Sequence, residues 1–273
     1  MSGVRLRTVD AFTDRPFTGN PAAVLVLDEA PSDEWLAAVA RETGVPDTGF
    51  VIREQLPDAD FRLRWFTPTV EIDLCGHATL ASAHCLLEDG AHGPFRFATR
   101  SGLLTVSQRP DGSLAMDFPA WPPTKIEAKE AVADAIGAPV EWTGRTDNEV
   151  FLLALVADEA SVRDLRPDLA AVGRLDAPAV IVTAVADPGH EYDFVSRLFA
   201  PNLGIPEDPV TGSAHTVLAP FWAGRLGRAS LVGLQASSRS GLVSVEVGGE
   251  RVTITGRAIT VFDGILSPAA GPR

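Results

Sequence analysis

The sequence predicts an α+β fold made of two similar halves. Short alternating or apolar runs typical of β-strands recur along the 273-residue chain and outnumber the helical patterns. Two helical segments, Ala78–Glu88 and Ala214–Leu226, are apolar almost all round, which indicates buried helices. Each follows a strand that ends in Phe-x-Pro, at Arg64–Pro68 and at Arg197–Pro201. This shared order indicates a duplication, although a chance repeat of a common strand–loop–helix unit gives the same pattern.

The first half contains clear strand and helix signals. Ser32 is the expected N-cap of one helix, and Gly44 and Pro46 mark its end. Asp111–Gly112 is expected to form the turn of a hairpin. Besides the buried helix, the predicted elements are strands over Val4–Val9, Ala22–Leu27, Thr48–Ile52, Phe61–Phe66, Leu103–Gln108 and Leu114–Phe118 and a helix over Asp33–Glu42.

The proline-rich segment Pro119–Pro123 is predicted to link the halves, which then run over 1–118 and 124–264. The final strand is able to return to the first half, and the active site is expected in the cleft between the halves. Besides the second buried helix, the predicted elements are helices over Glu127–Ile136 and Val162–Val172 and strands over Glu149–Val156, Ala179–Ala184, Tyr192–Phe199, Val243–Val247, Arg251–Thr255 and Ala258–Phe262.

Composition excludes several classes of function. Hydrophobic residues make up 45% and charged residues 22%, as in a globular protein with a large core. A net charge of −13 argues against a nucleic-acid or anionic-membrane partner. With only Cys75 and Cys85, no disulfide framework is expected, and no apolar signal or spanning segment occurs, so a cytoplasmic protein is expected.

The chain shows no pattern typical of a bound cofactor. The five histidines are scattered, and neither His-x-x-x-His nor Cys-x-x-Cys occurs. No phosphate-loop or dinucleotide fingerprint follows a strand. We therefore expect neither a metal nor a nucleotide cofactor.

The segment Glu207–His215 concentrates polar chemistry where a loop enters a predicted helix. Helix N-termini offer unpaired N–H groups that bind anions, so Asp208, Thr211, Gly212 and Ser213 are candidates for holding an acidic small molecule. An ordinary helix cap after a turn is the alternative. If the duplicated halves pack face to face, Asp73–His77 lies opposite this segment, and two helix N-termini point at one carboxylate-bearing ligand.

Five motifs occur in an order that resembles a known family. They are Val9–Phe12, Phe17–Val24, RWFTPTVEIDLCGHAT over Arg64–Thr79, EDPVTGSAH over Glu207–His215, and Gln235–Arg239 before alternating valines. Together they resemble the PhzF family of phenazine-biosynthesis-like isomerases and epimerases. The resemblance implies a diaminopimelate-epimerase-like fold, in which each half wraps a curved, mostly antiparallel sheet around a central helix. It also implies a homodimer and an isomerase that needs no metal or organic cofactor.

The resemblance implies a catalytic role for Asp47. The best-known family member isomerises a dihydro-hydroxyanthranilic acid, and a glutamate in a Ser-Glu-Thr-x-Phe-Val stretch moves the proton. The matching stretch here is Pro46–Val51, with aspartate in place of that glutamate. One methylene less shortens the reach, and small misplacements of a catalytic group cost about 100-fold in rate. A turn aspartate after Pro46 is the alternative interpretation.

The other expected site residues have roles beside this base. Asp208 is expected to orient the substrate or a neighbouring histidine, or to share the proton relay. His77 is expected to donate to a substrate oxygen or to take a proton. Gly76, Gly212 and Ser213 would offer N–H groups to a carboxylate, and Asn20 would contact the substrate. The alternatives are a core histidine at 77 and a turn residue at 20. His215 is expected to be buried at the start of its helix.

Cys75 opens a different mechanism. Diaminopimelate epimerase and proline racemase use two opposed thiols, and Cys75 occupies the position of the first. The second half offers no cysteine, so a two-thiol mechanism is disfavoured. A one-thiol epimerase or racemase stays open, as does a binding protein that has lost catalysis, and a small buried residue at a helix start is the preferred interpretation of Cys75.

Overall fold

The computed structural model describes residues 3–54 and 56–272. The chain divides into two compact units. The described residues up to Asp117 and from Thr255 onward form the first unit, and Phe118–Ile254 form the second.

Strands dominate both units. In chain order, the elements up to the boundary between the two units are β1 (Arg5–Ala11), β2 (Asn20–Leu27), α1 (Asp33–Thr43), β3 (Asp47–Ile52), β4 (Phe61–Phe66), β5 (Glu71–Ile72), α2 (Gly76–Glu88), β6 (Phe95–Thr99), β7 (Gly102–Gln108) and β8 (Leu114–Pro119), which crosses it. They are followed by β9 (Thr124–Lys125), α3 (Lys129–Ile136), β10 (Trp142–Arg145), β11 (Phe151–Leu155), α4 (Glu159–Arg163), α5 (Leu169–Val172), β12 (Ala179–Val185), β13 (Phe194–Ala200), β14 (Ile205–Asp208), α6 (His215–Leu226), β15 (Ser230–Gln235), β16 (Gly241–Gly248), β17 (Arg251–Gly256) and β18 (Ala258–Ile265).

The two units share one order of strand pairing. In the first, β2 pairs parallel with β3, which pairs antiparallel with β4, and β4 pairs parallel with β6, which pairs antiparallel with β7. In the second, β11, β12, β13, β15 and β16 repeat this sequence of parallel and antiparallel pairs. The last strand, β18, pairs with β1 in the first unit. The predicted α+β class with a mostly antiparallel sheet in each half is confirmed.

Two ion pairs repeat with the pairing. Arg64 of β4 donates two hydrogen bonds to Glu71, at 2.7 and 2.8 Å, and lies over the ring of Phe66. Arg197 of β13 donates to Glu207 at 2.7 and 2.9 Å and lies over Phe199. Bidentate pairs of this kind fix geometry as well as adding stability. They support the duplication that the Phe-x-Pro strands predicted.

The sheet of the first unit is covered on both faces. Side chains alternate along a strand, so Phe50 and Ile52 of β3 face α1 and pack with its Leu36. The opposite face meets α2, which contacts β1, β2, β3, β7 and β18. A helix with strands on so many sides is enclosed by a curved sheet, and most of α2 is buried, as its uniform apolarity predicted.

The second unit repeats these layers. Helices α3, α4 and α5 pack on one face through a core that includes Val132, Val162 and Phe199. The other face receives α6, where the Trp222 indole stacks on Phe194 and donates a 3.0 Å hydrogen bond to Thr183 Oγ1. Both predicted central helices are therefore present.

Several sequence predictions need correction. The helix predicted over Val162–Val172 is wrong, because the chain forms the separate short helices α4 and α5. Pro167 lies between them, and an interior proline removes a helical hydrogen bond and clashes with the preceding turn. The loop predicted around Asp208 is the strand β14 up to that residue. The strands β5, β6, β9, β10 and β15 were not predicted.

Among the described residues, no helix combines the length and the apolar character needed to cross a membrane.

Candidate active site

The candidate site of the first unit begins with the parallel pair β2 and β3. Ala22 of β2 lies beside Asp47, the first residue of β3. Neighbours in a parallel register point to the same face, and side chains repeat every second residue. Asn20 and Asp47 therefore share the face that α2 covers.

Gly49 allows α2 to approach this face closely. A Cβ built on Gly49 would lie 2.8 Å from Ser82 Oγ of α2, closer than a real Cβ contact permits. Only glycine therefore fits at this position without a shift of the Ser82 side chain or of the helix. The close approach places His77, in the first turn of α2, beside Asp47.

Three side chains surround the imidazole of His77. Its Nε2 lies 3.3 Å from Asp47 Oδ2. Its Nδ1 lies 3.2 Å from Asn20 Nδ2 and 3.5 Å from Cys75 Sγ. All four residues are buried. Asn20, Asp47, Cys75 and His77 form the cluster that we call the first-unit cluster.

The contacts of His77 show which ring nitrogen carries the hydrogen of the neutral imidazole. An amide N–H₂ group only donates, so the Asn20 amide, as oriented here, makes Nδ1 the acceptor. The proton of the neutral ring then lies on Nε2, from which it is directed to the Asp47 carboxylate. This arrangement holds a carboxylate and a proton-carrying ring side by side away from bulk water, which is what a general acid–base pair requires.

Cys75 precedes α2 in extended conformation and is its N-cap without a side-chain hydrogen bond. Its carbonyl accepts hydrogen bonds from Thr79 N and Thr79 Oγ1, at 3.1 and 2.6 Å, which fixes the start of the helix. Gly76 is the first helical residue and is buried. The thiol lies against the His77 ring at the start of the helix, with Sγ 3.5 Å from Nδ1.

The second unit holds a separate cluster around Asp208. The Thr211 hydroxyl donates a short hydrogen bond to Asp208 Oδ2. The buried amide of Gln235 spans the turn, since its oxygen accepts from Thr211 N at 2.8 Å and its nitrogen donates to the Asp208 carbonyl at 2.8 Å. Ser237 Oγ donates to the Pro209 carbonyl at 2.8 Å. We call Asp208, Thr211 and Gln235 the second-unit cluster.

The interpretation of this segment as a helix cap is wrong. Helix α6 begins at His215 with Ala214 as N-cap, and no side chain caps it. The Thr211 hydroxyl binds Asp208 instead, while Gly212 and Ser213 lie in the turn before the helix, where their carbonyls accept from His215 N and Thr216 N.

His215 is fully buried at the start of α6, as predicted. Its Nδ1 lies 2.8 Å from the Thr211 carbonyl and donates to it. Burial lowers the pKa of His215 to about 4, because the charged imidazolium loses its hydration.

Comparison with known proteins identifies the family. The profile of the PhzC-PhzF family, the phenazine biosynthesis-like proteins, matches residues 9–264. This chain belongs to the PhzC-PhzF family. It is 48% identical to an uncharacterized isomerase of Pseudomonas aeruginosa over 260 residues, which cover 94% of this chain and 96% of that protein.

Comparison with solved structures agrees with this family assignment. A PhzF-family protein of Enterococcus faecalis is 36% identical, with a TM-score of 0.90 over 97% of this chain and 99% of its own. A hydroxyproline epimerase of Agrobacterium vitis, 14% identical, matches with a TM-score of 0.61 over 98% of this chain and 94% of its own, which shows a shared fold. The diaminopimelate-epimerase-like architecture fits this PhzC-PhzF family member.

The duplication matches the segments Asp73–His77 and Glu207–His215 residue by residue, which the sequence alone did not do. Glu71 and Glu207 are the equivalent partners of the two strand arginines, and counting from them matches Cys75 with Thr211 and Gly76 with Gly212. A hydroxyl therefore stands in the second unit of this family member where a two-thiol enzyme needs its second sulfur.

The structure changes the assignment of two residues, Asp73 and Gln235. Asp73 was placed in the segment expected to meet a ligand, but its side chain is largely exposed and pairs with Arg100 at 3.1 Å. Gln235 was not chosen as a site residue, although it begins one of the five motifs. A glutamine two residues before the serine pair Ser237–Ser238 was the signal available in the sequence.

Proposed function

We propose that this protein is a cofactor-independent isomerase or epimerase that moves a proton on a small carboxylate-bearing substrate. The buried Asp47–His77 pair, with 3.3 Å between Oδ2 and Nε2, carries the proposal. Family membership supports the reaction class, since relatives at 48% and 40% identity are named isomerases.

Asp47 is the base in this scheme. Its carboxylate takes a proton from a substrate carbon, and the electron pair of the broken C–H bond delocalises into the adjacent carbonyl or carboxyl group. The proton is then returned to another carbon in an isomerisation or to the opposite face in an epimerisation. Asp47 is one methylene shorter than the glutamate of the best-known relative, so the substrate must approach the strand more closely.

His77 positions the base and supplies a second proton donor. Its Nε2–H binds the Asp47 carboxylate and orients one oxygen toward the reacting carbon. A positioned acid–base group of this kind contributes about 10²–10⁴-fold to the rate. Asn20 holds the ring through Nδ1, so its role is positioning, unless substrate binding turns its amide.

The substrate carboxylate is assigned to the N–H groups at the start of α2. Gly76 and His77 open that helix, and the first N–H groups of a helix lack intrahelical partners. A helix N-terminus stabilises an anion by about 0.3–1 kcal/mol even at an exposed site. The substrate-binding roles predicted for Thr211, Gly212 and Ser213 stay predictions, as does the catalytic role of Asp208.

A panel of cyclic amino and hydroxy acids in D₂O tests the proposal. We expect the protein to replace a carbon-bound hydrogen of at least one member by deuterium, followed by proton NMR. Tight binding measured by calorimetry without any exchange would instead identify a binding protein on the same scaffold. The absence of both binding and exchange across the whole panel would contradict the proposal.

A second candidate function rests on one contact. Cys75 Sγ lies 3.5 Å from His77 Nδ1, so an imidazole-activated thiol could serve as the base of a one-thiol epimerase. Cys75→Ser separates the two schemes. Exchange that survives in Cys75→Ser but is lost in Asp47→Asn supports the carboxylate base, and the reverse pattern supports the thiol.

A further inference from the structure

The first-unit cluster holds three different metal-ligand groups. Asp47, Cys75 and His77 each offer one ligand atom, and these atoms all lie within 4.8 Å of one another. Carboxylate oxygen, thiolate sulfur and imidazole nitrogen are the three ligand types that Zn²⁺ takes in proteins. We expected no metal from the sequence, because the usual ligand spacings are absent.

The distances match the edges of a zinc tetrahedron. Bonds of about 2.0 Å to nitrogen and oxygen and about 2.3 Å to sulfur give edges of about 3.3 Å between N and O and about 3.6 Å between N and S. His77 Nε2 lies 3.3 Å from Asp47 Oδ2 and 3.8 Å from Cys75 Sγ. Two of the three edges therefore match, and the third, between the ligand atoms of Asp47 and Cys75, is at most 4.8 Å.

The charges also balance. An ionised aspartate and a thiolate together neutralise a divalent cation, so the occupied cluster is neutral, and a buried neutral group avoids the cost of an uncompensated charge. Binding releases the thiol proton, and the single ring hydrogen of His77 moves from Nε2 to Nδ1. The Asn20 amide, 3.2 Å from Nδ1, can accept this hydrogen through its oxygen after a flip, as ligating histidines usually require of an outer partner.

A comparison within the chain favours this cluster. Glu159, Asp187 and His190 form a second group with ligand atoms equally close together. There the Arg163 guanidinium binds Glu159 Oε1 at 2.7 Å, and Tyr192 donates to the same oxygen at 2.7 Å. A cation already neutralises that carboxylate, so the second group serves as an internal control.

We propose that Asp47, Cys75 and His77 form a binding site for one Zn²⁺ ion, with the fourth position left to water. Three protein ligands and a water in the fourth position are the pattern of open zinc sites, in contrast to closed structural sites with four protein ligands. Because the ion holds Asp47 Oδ2, zinc would inhibit the proton transfer proposed above. That inhibition rests on the proposed function, whereas the binding does not.

The test uses the full-length protein after removal of metals with EDTA. Zn²⁺ titration in competition with a chromophoric chelator should give one equivalent of bound zinc. Co²⁺ should give a thiolate-to-cobalt charge-transfer band in the near ultraviolet. Cys75→Ser should weaken zinc by more than the ~10–100-fold that loss of an outer partner causes, and it should abolish the band. His77→Asn should weaken zinc similarly, and His190→Asn should have no effect.

The chain has only two cysteines, so the test can still be made if the variant Cys75→Ser misfolds. If Cys75→Ser does not fold, the cobalt band in Cys85→Ser decides, since any thiolate ligand left there is Cys75. Absence of stoichiometric zinc binding, or a cobalt band lost in Cys85→Ser and kept in Cys75→Ser, overturns the proposal. Zinc binding without substrate exchange by the metal-free protein would leave the metal site standing and contradict the proposed function alone.

Discussion

His77 Nε2 lies 3.3 Å from Asp47 Oδ2, although one residue opens a strand and the other lies in the first turn of a helix. The contact depends on two features of the packing, the parallel register of β2 and β3 and the missing side chain at Gly49. Both features are open to mutation.

Asn20→Ala removes the donor to His77 Nδ1 and leaves the ring free to change its tautomer. We expect the rate of deuterium exchange to fall by about 100-fold, because small misplacements of a catalytic group have costs of that size. Asn202→Ala, which also removes one side-chain hydrogen bond, to the Gly173 carbonyl, is the control. Equal exchange rates in Asn20→Ala and wild type would remove the positioning role.

Gly49→Ala places a methyl group 2.8 Å from Ser82 Oγ. We expect the free energy of unfolding, measured with urea, to fall by about 1–3 kcal/mol, as overpacking in a core usually causes. The double variant with Ser82→Ala should recover most of that loss, because the clashing atom is gone.

Gly224→Ala in α6 is the matched control. No described atom lies within 4 Å of a Cβ built there, so alanine should stabilise the helix by up to about 1 kcal/mol. If Gly49→Ala behaves like Gly224→Ala, the close approach of α2 to β3 is not as described.

His215 makes stability depend on pH. Complete burial lowers its pKa to about 4, whereas the unfolded chain binds the proton near pH 6.5. Between these values the unfolded state holds more protons, so the free energy of unfolding falls as pH falls, by about 2 kcal/mol from pH 7 to pH 5. In His215→Asn this contribution should vanish in urea unfolding at the two pH values, while replacement of the exposed His92 should preserve it. An unchanged pH dependence in His215→Asn contradicts the assignment.

The Cys85 thiol should be unreactive in the native protein. Burial raises the pKa of the Cys85 thiol to about 12, and the side chain has no exposed surface. Since the thiolate is the reactive form, iodoacetamide at pH 8 should leave Cys85 unmodified in the native protein and alkylate it after unfolding. Peptide mass spectrometry measures this, and alkylation of Cys85 without unfolding would contradict its burial.

Local signals in the sequence predicted much of the fold. Ser32 and Gly44 delimit α1 because a serine cap and a left-handed glycine both act within one turn. The short strands β6 and β15 escaped because their signals are weak. Gly233 interrupts β15, and it is there because the Phe194 ring occupies the space of its side chain, a fact of packing that no local pattern contains.

The sequence predicted which residues belong to the site but not how they are arranged in space. The resemblance pointed to Asp47, and His77 and Asn20 lie in the motifs that carry it. Their convergence depends on strand register and on the approach of α2, which are tertiary features. The metal-ligand geometry was hidden for the same reason, because Asp47 lies far in sequence from Cys75 and His77.

The rate of deuterium incorporation from D₂O into a bound substrate, compared between Asp47→Asn and Asp73→Asn, tests the central claim most directly. Each change removes one carboxylate charge, but only Asp47 lies against His77 in the buried cluster, whereas Asp73 is an exposed partner of Arg100. We predict that Asp47→Asn loses at least ~100-fold in exchange rate and that Asp73→Asn exchanges like the wild type. Equal rates in Asp47→Asn and wild type would contradict the account.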